Sequence, residues 1–100
     1  MRAAAFILST AAVLASGIAG AAAQGQDAAL LASACMSCHG IDGRSRGTIP
    51  SLAGQDAGQM AQLMKDYAAG NVKGTAMNLI AKGYTAGQID AMAAFFSARK

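Results

Sequence analysis

Residues 34–40 read ACMSCHG, and this one stretch holds both cysteines and the single histidine of a 100-residue chain. Three chemistries use such a group. A redox disulfide needs a low-pKa thiolate, usually at a helix N-terminus in a β/α setting. Here the pair falls at the end of a helical pattern, where the dipole disfavours a thiolate. A structural zinc site needs four ligands, whereas Cys35, Cys38 and His39 offer three, and adjacent Cys38 and His39 ligate together only awkwardly. Covalent haem c uses all three residues. Positions i and i+3 of one helical turn face the same way, so both thiols reach the two vinyl groups of one porphyrin while the next imidazole stands under the iron. The expected cofactor is therefore one haem c, attached through Cys35 and Cys38 with His39 as an axial ligand.

With no second histidine, the sixth ligand is expected from methionine, a soft donor that favours Fe(II) and raises the reduction potential. Met60, Met64 and Met92 fall on helical stripes where core packing is the default, and Met36 belongs to the attachment turn. Met77 follows the glycine-containing segment GNVKGTA (residues 70–76) and is the preferred ligand, with Met60 or Met64 as the fallback. Pro50, the one proline, has two readings from spacing alone. It stiffens a turn, or its carbonyl accepts from the second ring nitrogen of His39, as metal-bound histidines require. Arg44 and Arg46 are candidates to pair with haem propionates, against the commoner solvated role, and Tyr67 is either a wet-tipped core residue or a neighbour of the haem.

The elements that must position these groups are helices. Strand patterns are almost absent. A first helix is expected over Asp27 to Cys38, ended by Gly40. A second opens at a capping Asp56, carries Met60, Leu63, Met64 and Tyr67 on one face and stops at Gly70. A short third spans Met77 to Lys82, and a fourth opens with the capping box TAGQ (residues 85–88) and buries Ile89, Met92, Ala93 and Phe96. Between them lie two irregular loops, Gly40 to Gln55 and Gly70 to Ala76. A loop as long as the first, in so small a domain, usually wraps around something.

Residues 1–23 read as a leader. Arg2 is followed by an uncharged, alanine-rich stretch, and Ala21 and Ala23 fit the small-residue cleavage pattern. Cleavage leaves a single domain at 24–100, expected in the periplasm and without stable membrane insertion. The alternative is an uncleaved anchor. The formal charge of +3 falls by one when Arg2 leaves. So mild a balance, with no basic run interleaved with aromatics, argues against nucleic acid.

The segments CMSCHGIDGRSRGTIPSLAGQ (residues 35–55), QLMKDYAAG (residues 62–70) and MNLIAKGYTAGQIDAMAAFF (residues 77–96) resemble the class I c-type cytochromes. Within them the chain is similar to the small c553-like group and to the haem subunit of flavocytochrome c sulfide dehydrogenase. The resemblance spans about Ala28 to Ser97. It implies an all-α fold with N- and C-terminal helices packed crosswise around one covalently bound haem. It also implies thioether attachment at Cys35 and Cys38, axial His39 and Met77, and the acceptor role for Pro50. The opening TAGQ departs from the acidic residues more usual there, which weakens any assignment of a particular partner.

The expected function is transfer of single electrons between a dehydrogenase and a downstream acceptor. The alternative is the haem subunit of a periplasmic dehydrogenase that takes electrons from a flavoprotein partner. A peroxidase or gas sensor needs an open iron, and Met77 argues against that. Lys65, Lys73 and Lys82 flank Met77, as ordinary solubilising charges or as a basic rim that steers an acidic redox partner.

Overall fold

The computed structural model describes residues 3–5 and 28–100. The expected leader therefore lies, apart from residues 3–5, outside the described residues, as does Asp27. Among the described residues every regular element is helical. In chain order these are α1 (residues 28–33), α2 (Met36–His39), a 3-10 turn at Ile41–Gly43, α3 (Ala57–Ala69), α4 (Met77–Ala81) and α5 (Ala86–Ser97). None of these helices is long and apolar enough to cross a membrane.

The first helix differs from the single run expected to Cys38: it breaks at residues 34–35. Ala34 N and Cys35 N bond the carbonyls three residues back, Leu31 at 3.3 Å and Ala32 at 3.0 Å. The Ser33 hydroxyl bonds Leu30 O at 2.5 Å. A serine hydroxyl competing for a helix carbonyl, with i−3 bonds tightening the turn, closes the helix one turn early. Cys35 keeps helical dihedrals (φ −78°, ψ −22°) and starts α2. Its carbonyl accepts from His39 N at 2.9 Å. The two thiols and the imidazole therefore still share one helical turn.

The remaining boundaries follow local chemistry. Asp56 caps α3 by accepting from Gln59 N at 2.8 Å, and Gly70, left-handed at φ 80°, ends it. At α5 both halves of the capping box form: Gln88 N to Thr85 Oγ1 at 3.1 Å and Thr85 N to Gln88 Oε1 at 2.9 Å. Arg99 lies past the last turn of α5, its guanidinium 3.9 Å from the centre of the Phe95 ring. The two make a cation–π contact at the C-terminal end of α5.

One apolar cluster holds the domain together. Ile89, Met92, Ala93 and Phe96, the stripe expected on α5, are all buried, and Ala32 of α1 with Met60 and Ala61 of α3 completes the cluster. α3 packs against both α5 and α4. Gly43 fixes the long loop to this core. Its carbonyl accepts from Leu52 N at 2.7 Å and Ala53 N at 3.1 Å, and Gly54 N bonds Phe96 O at 2.9 Å at the end of α5. The 40–55 segment is therefore a folded strap with defined backbone partners, which fixes where Pro50 lies.

Candidate haem-binding site

His39 ends α2, and its Nδ1 lies 2.6 Å from the carbonyl oxygen of Pro50, eleven residues further on. A carbonyl only accepts, so Nδ1 carries the proton and the Nε2 lone pair is left for a metal. Of the two readings of Pro50, the structure therefore contains the contact that the acceptor role needs. The strap described above supplies it, because Leu52 and Ala53 are bound to Gly43 two and three residues beyond Pro50.

Cys35 is half-buried and Cys38 exposed. Burial, and then the neighbouring Cys38, push the Cys35 thiol up from its ordinary value. A raised thiol is a poor thiolate nucleophile, which counts against the disulfide-exchange reading of the pair. The zinc reading lacks donors: among the described residues no group of three or more His, Cys, Asp or Glu side chains is gathered to hold a metal ion.

The methionines separate clearly. Met60 and Met92 are inside the core cluster, and Met36 and Met64 pack against it. Met77 is the described methionine that does neither. It opens α4 beside Tyr67, and a Cβ built on Gly74 would lie 2.9 Å from Tyr67 Cε1 and 3.4 Å from Met77 Cβ. Tyr67, Gly74 and Met77 thus form one contiguous surface, which brings the expected aromatic next to the expected ligand. Asn78, to which the sequence pattern assigns no role, holds this surface together. Its Oδ1 accepts from Gly74 N at 2.7 Å, and its Nδ2 donates to Tyr67 O at 2.9 Å and Val72 O at 2.6 Å. A hint is present in its place next to Met77 at the end of a glycine-bearing loop, where an amide is suited to satisfying backbone groups.

The residues around the site suit a flat apolar group. Ile41, Ile49, Leu63, Leu79 and Ile80 are exposed large hydrophobic side chains. Each lies within four positions of His39, Pro50, Tyr67 or Met77, so the apolar surface and the donors coincide along the chain. An open cavity of about 780 Å³ between the Met36–Cys38 turn and the 40–49 strap is lined by Cys38, Ile41, Arg44, Arg46 and Ile49 among others. It meets the site at Cys38, and neither His39 nor Met77 lines it. Two thiols, an oriented imidazole and an uncommitted thioether make a donor set suited to haem c.

The expected charges divide. Lys65 is bonded to Asp90 of α5 at 2.8 Å, so it is not a free member of a basic rim. Lys73 and Lys82 are exposed on either side of α4. Arg44 lies 3.7 Å from Asp42 in the strap, a surface pair of small energetic weight, and Arg46 is exposed.

Comparison with known proteins gives the same picture. The family profile described as cytochrome c matches residues 22–99. The chain is 44% identical over 64 residues to cytochrome c-552 of Acidithiobacillus ferridurans, covering 64% of this chain and 28% of that protein. It is 36% identical over 67 residues to the cytochrome subunit of sulfide dehydrogenase of Chlorobaculum tepidum, covering 67% of this chain and 61% of that one. Cytochrome c-553 of Nitratidesulfovibrio vulgaris matches at 33% identity over 96 residues, covering 91% of this chain and 92% of that protein. The chain therefore spans less than two thirds of the first two relatives and nearly all of the third. A helical domain, a C-x-x-C-H turn and this profile together make the chain a member of the cytochrome c family of electron carriers, with covalently bound haem c.

Proposed function

We propose that this cytochrome is exported, with residues 1–23 removed as a leader and 24–100 forming the periplasmic domain, and that His39 and Met77 are the axial ligands of its haem. The packing of the other described methionines carries the ligand assignment: Met36, Met60, Met64 and Met92 all serve the core, and Met77 does not. The family profile begins at residue 22, within two residues of the proposed start of the domain at 24.

When bound, the haem supplies a one-electron couple between Fe(III) and Fe(II). The protein's own residues make that couple usable. Cys35 and Cys38 hold the group by two thioether links on one turn. Pro50 O orients the His39 ring and keeps the proton on Nδ1. The Met77 thioether would serve as the sixth donor, a soft one that favours the reduced state. The exposed Ile41, Leu63, Leu79 and Ile80 side chains would offer the bound haem apolar surface that excludes water. Because Pro50 O holds the His39 ring on one side, and the Asn78 side chain ties α4 to α3 and its following loop on the other, both ligands stay in place through a change of one charge. Lys73 and Lys82 present positive charge beside α4 to an acidic redox partner.

A second reading, as the haem subunit of a sulfide-oxidising flavoprotein complex, is favoured by the similarity to the Chlorobaculum tepidum cytochrome subunit of sulfide dehydrogenase. It differs from the first only in partner, and co-purification of a flavoprotein with the tagged cytochrome separates the two.

The Met77→Ala variant tests the ligand assignment. Oxidised wild-type protein is expected to show the weak far-red methionine–iron band and to resist added imidazole. The variant loses the band and binds imidazole readily. A variant that keeps the band has a different methionine on the iron, and the assignment falls. Gel staining for haem on a polypeptide of mature size, from periplasmic and cytoplasmic fractions, tests export and leader removal.

A further inference from the structure

Asn78 uses its side-chain amide fully. Both N–H donors go to carbonyls that only accept, Tyr67 O and Val72 O, and its oxygen accepts from Gly74 N, which only donates. These partners fix the orientation of the amide without ambiguity. They also bridge two elements: Tyr67 lies in the last turns of α3, and Val72 and Gly74 in the loop that leads to Met77.

The early part of that loop is tied to α3 by backbone bonds alone. Gly70 N bonds Tyr67 O at 3.2 Å, and Asn71 N and Val72 N bond Asp66 O at 2.9 and 3.4 Å. Beyond Val72 these bonds stop. Among the described residues 73–77, the backbone N–H bonded within the protein is that of Gly74, and its acceptor is Asn78. Between Val72 and α4, itself packed on α3, the chain is therefore hydrogen-bonded through one side chain, which sits next to Met77 in the first turn of α4.

We propose that Asn78 is a positioning residue, a latch that holds the 70–77 loop against α3 so that the Met77 thioether stays on the iron. This rests on the assignment of Met77 as axial ligand. Displacing the latch moves Met77 with it, because the two are consecutive on one turn, while the core cluster on α3 and α5 is untouched. The latch therefore sets how easily an outside ligand replaces Met77. Overall stability is set elsewhere, mainly by α5 and its neighbours.

The experiment is an imidazole titration of the oxidised haem-bound protein at fixed neutral pH, read in the Soret and far-red bands, with a thermal melt of each variant. Four proteins are compared: wild type, Asn78→Ala, Asn78→Asp and Asp56→Ala. Asn78→Asp has nearly the same volume and keeps an acceptor for Gly74 N but loses both donors, so it separates hydrogen bonding from packing. Asp56→Ala removes the cap at the far end of α3 and reports what loss of stability alone does. The latch predicts that Asn78→Ala and Asn78→Asp both bind imidazole about tenfold tighter or more than wild type, the scale of losing two or three backbone bonds. Asp56→Ala lowers the melting temperature with wild-type imidazole affinity. If Asn78→Ala does not accumulate, the Asn78→Asp variant decides the question in its place. Wild-type affinity in the Asn78 variants overturns the latch, and so does an Asp56→Ala variant that binds imidazole as tightly as they do. A wild-type protein with no far-red methionine band overturns the Met77 assignment first and the latch with it, a result distinct from failure of the latch alone.

Discussion

Replacing Gly43 by alanine tests whether the strap that carries Pro50 is fixed to the core as described. Gly43 is buried, with φ at 76°. Its added Cβ would lie 2.7 Å from Cδ1 and 3.0 Å from Cε1 of Phe96, and 3.1 Å from Ala53 N. Phe96 is 1% exposed, so its ring has no free space to turn into. Two costs combine. A non-glycine residue in the left-handed region costs about 1–2 kcal/mol, and overpacking a tight core costs about 1–3 kcal/mol. Against a total of roughly 4–12 kcal/mol for a domain of this size, a loss of about 2–5 kcal/mol is severe. At about 4–8 °C per kcal/mol, the haem-bound Gly43→Ala variant should melt on the order of 10–30 °C below wild type. The double variant Gly43→Ala/Phe96→Leu apportions the two costs: it should recover the steric part relative to Phe96→Leu alone and leave the backbone part. A Gly43→Ala melting temperature within about 3 °C of wild type would refute both the strap geometry and the close approach to Phe96.

Two further outcomes are expected beyond the Met77 and Asn78 variants. Thr85→Ala removes the reciprocal cap of α5 and should cost about 0.5–2 kcal/mol, seen as a lower thermal midpoint with an unchanged optical spectrum. Reversing charge at the exposed Lys73 and Lys82 together should slow oxidation of the reduced protein by ferricyanide, a multiply charged anion, and flatten its dependence on ionic strength; an unchanged rate at low salt would remove these lysines from the docking surface.

What the sequence by itself determined is local. Cys35, Cys38 and His39 lie within five residues, so one helical turn is enough to bring them to one face, and no distant contact can undo that spacing. The stops at Gly70 and the caps at Asp56 and Thr85 likewise depend on side chains within three residues of the backbone groups they satisfy. The buried stripe of α5 was legible because its period matches the helix and its residues are apolar, with Phe96 the largest. Family resemblance, carried by the same short segments, added the crosswise packing of the first and last helices.

Only the tertiary structure decided matters that depend on which surfaces meet. The break at residues 34–35 follows from a serine hydroxyl choosing a carbonyl, a competition that helical periodicity does not register. The Pro50 carbonyl reaches His39 because Gly43 closes the strap through Leu52 and Ala53 and Gly54 ties it to Phe96 of α5, a geometry spread over three segments. Lys65 is engaged by Asp90, 25 positions away, so its charge could not be counted correctly from neighbours in the chain. Asn78 is an ordinary polar residue until its three backbone partners are in place. The methionines make a related point: the sequence prefers Met77 with Met60 or Met64 as the fallback, and the structure adds that Met60 lies in the core and Met64 against it. Covalent attachment is specified by short-range order along the chain. The sixth position depends on long-range packing, and to the sequence's preference for Met77 the folded chain adds that the other described methionines are committed to the core.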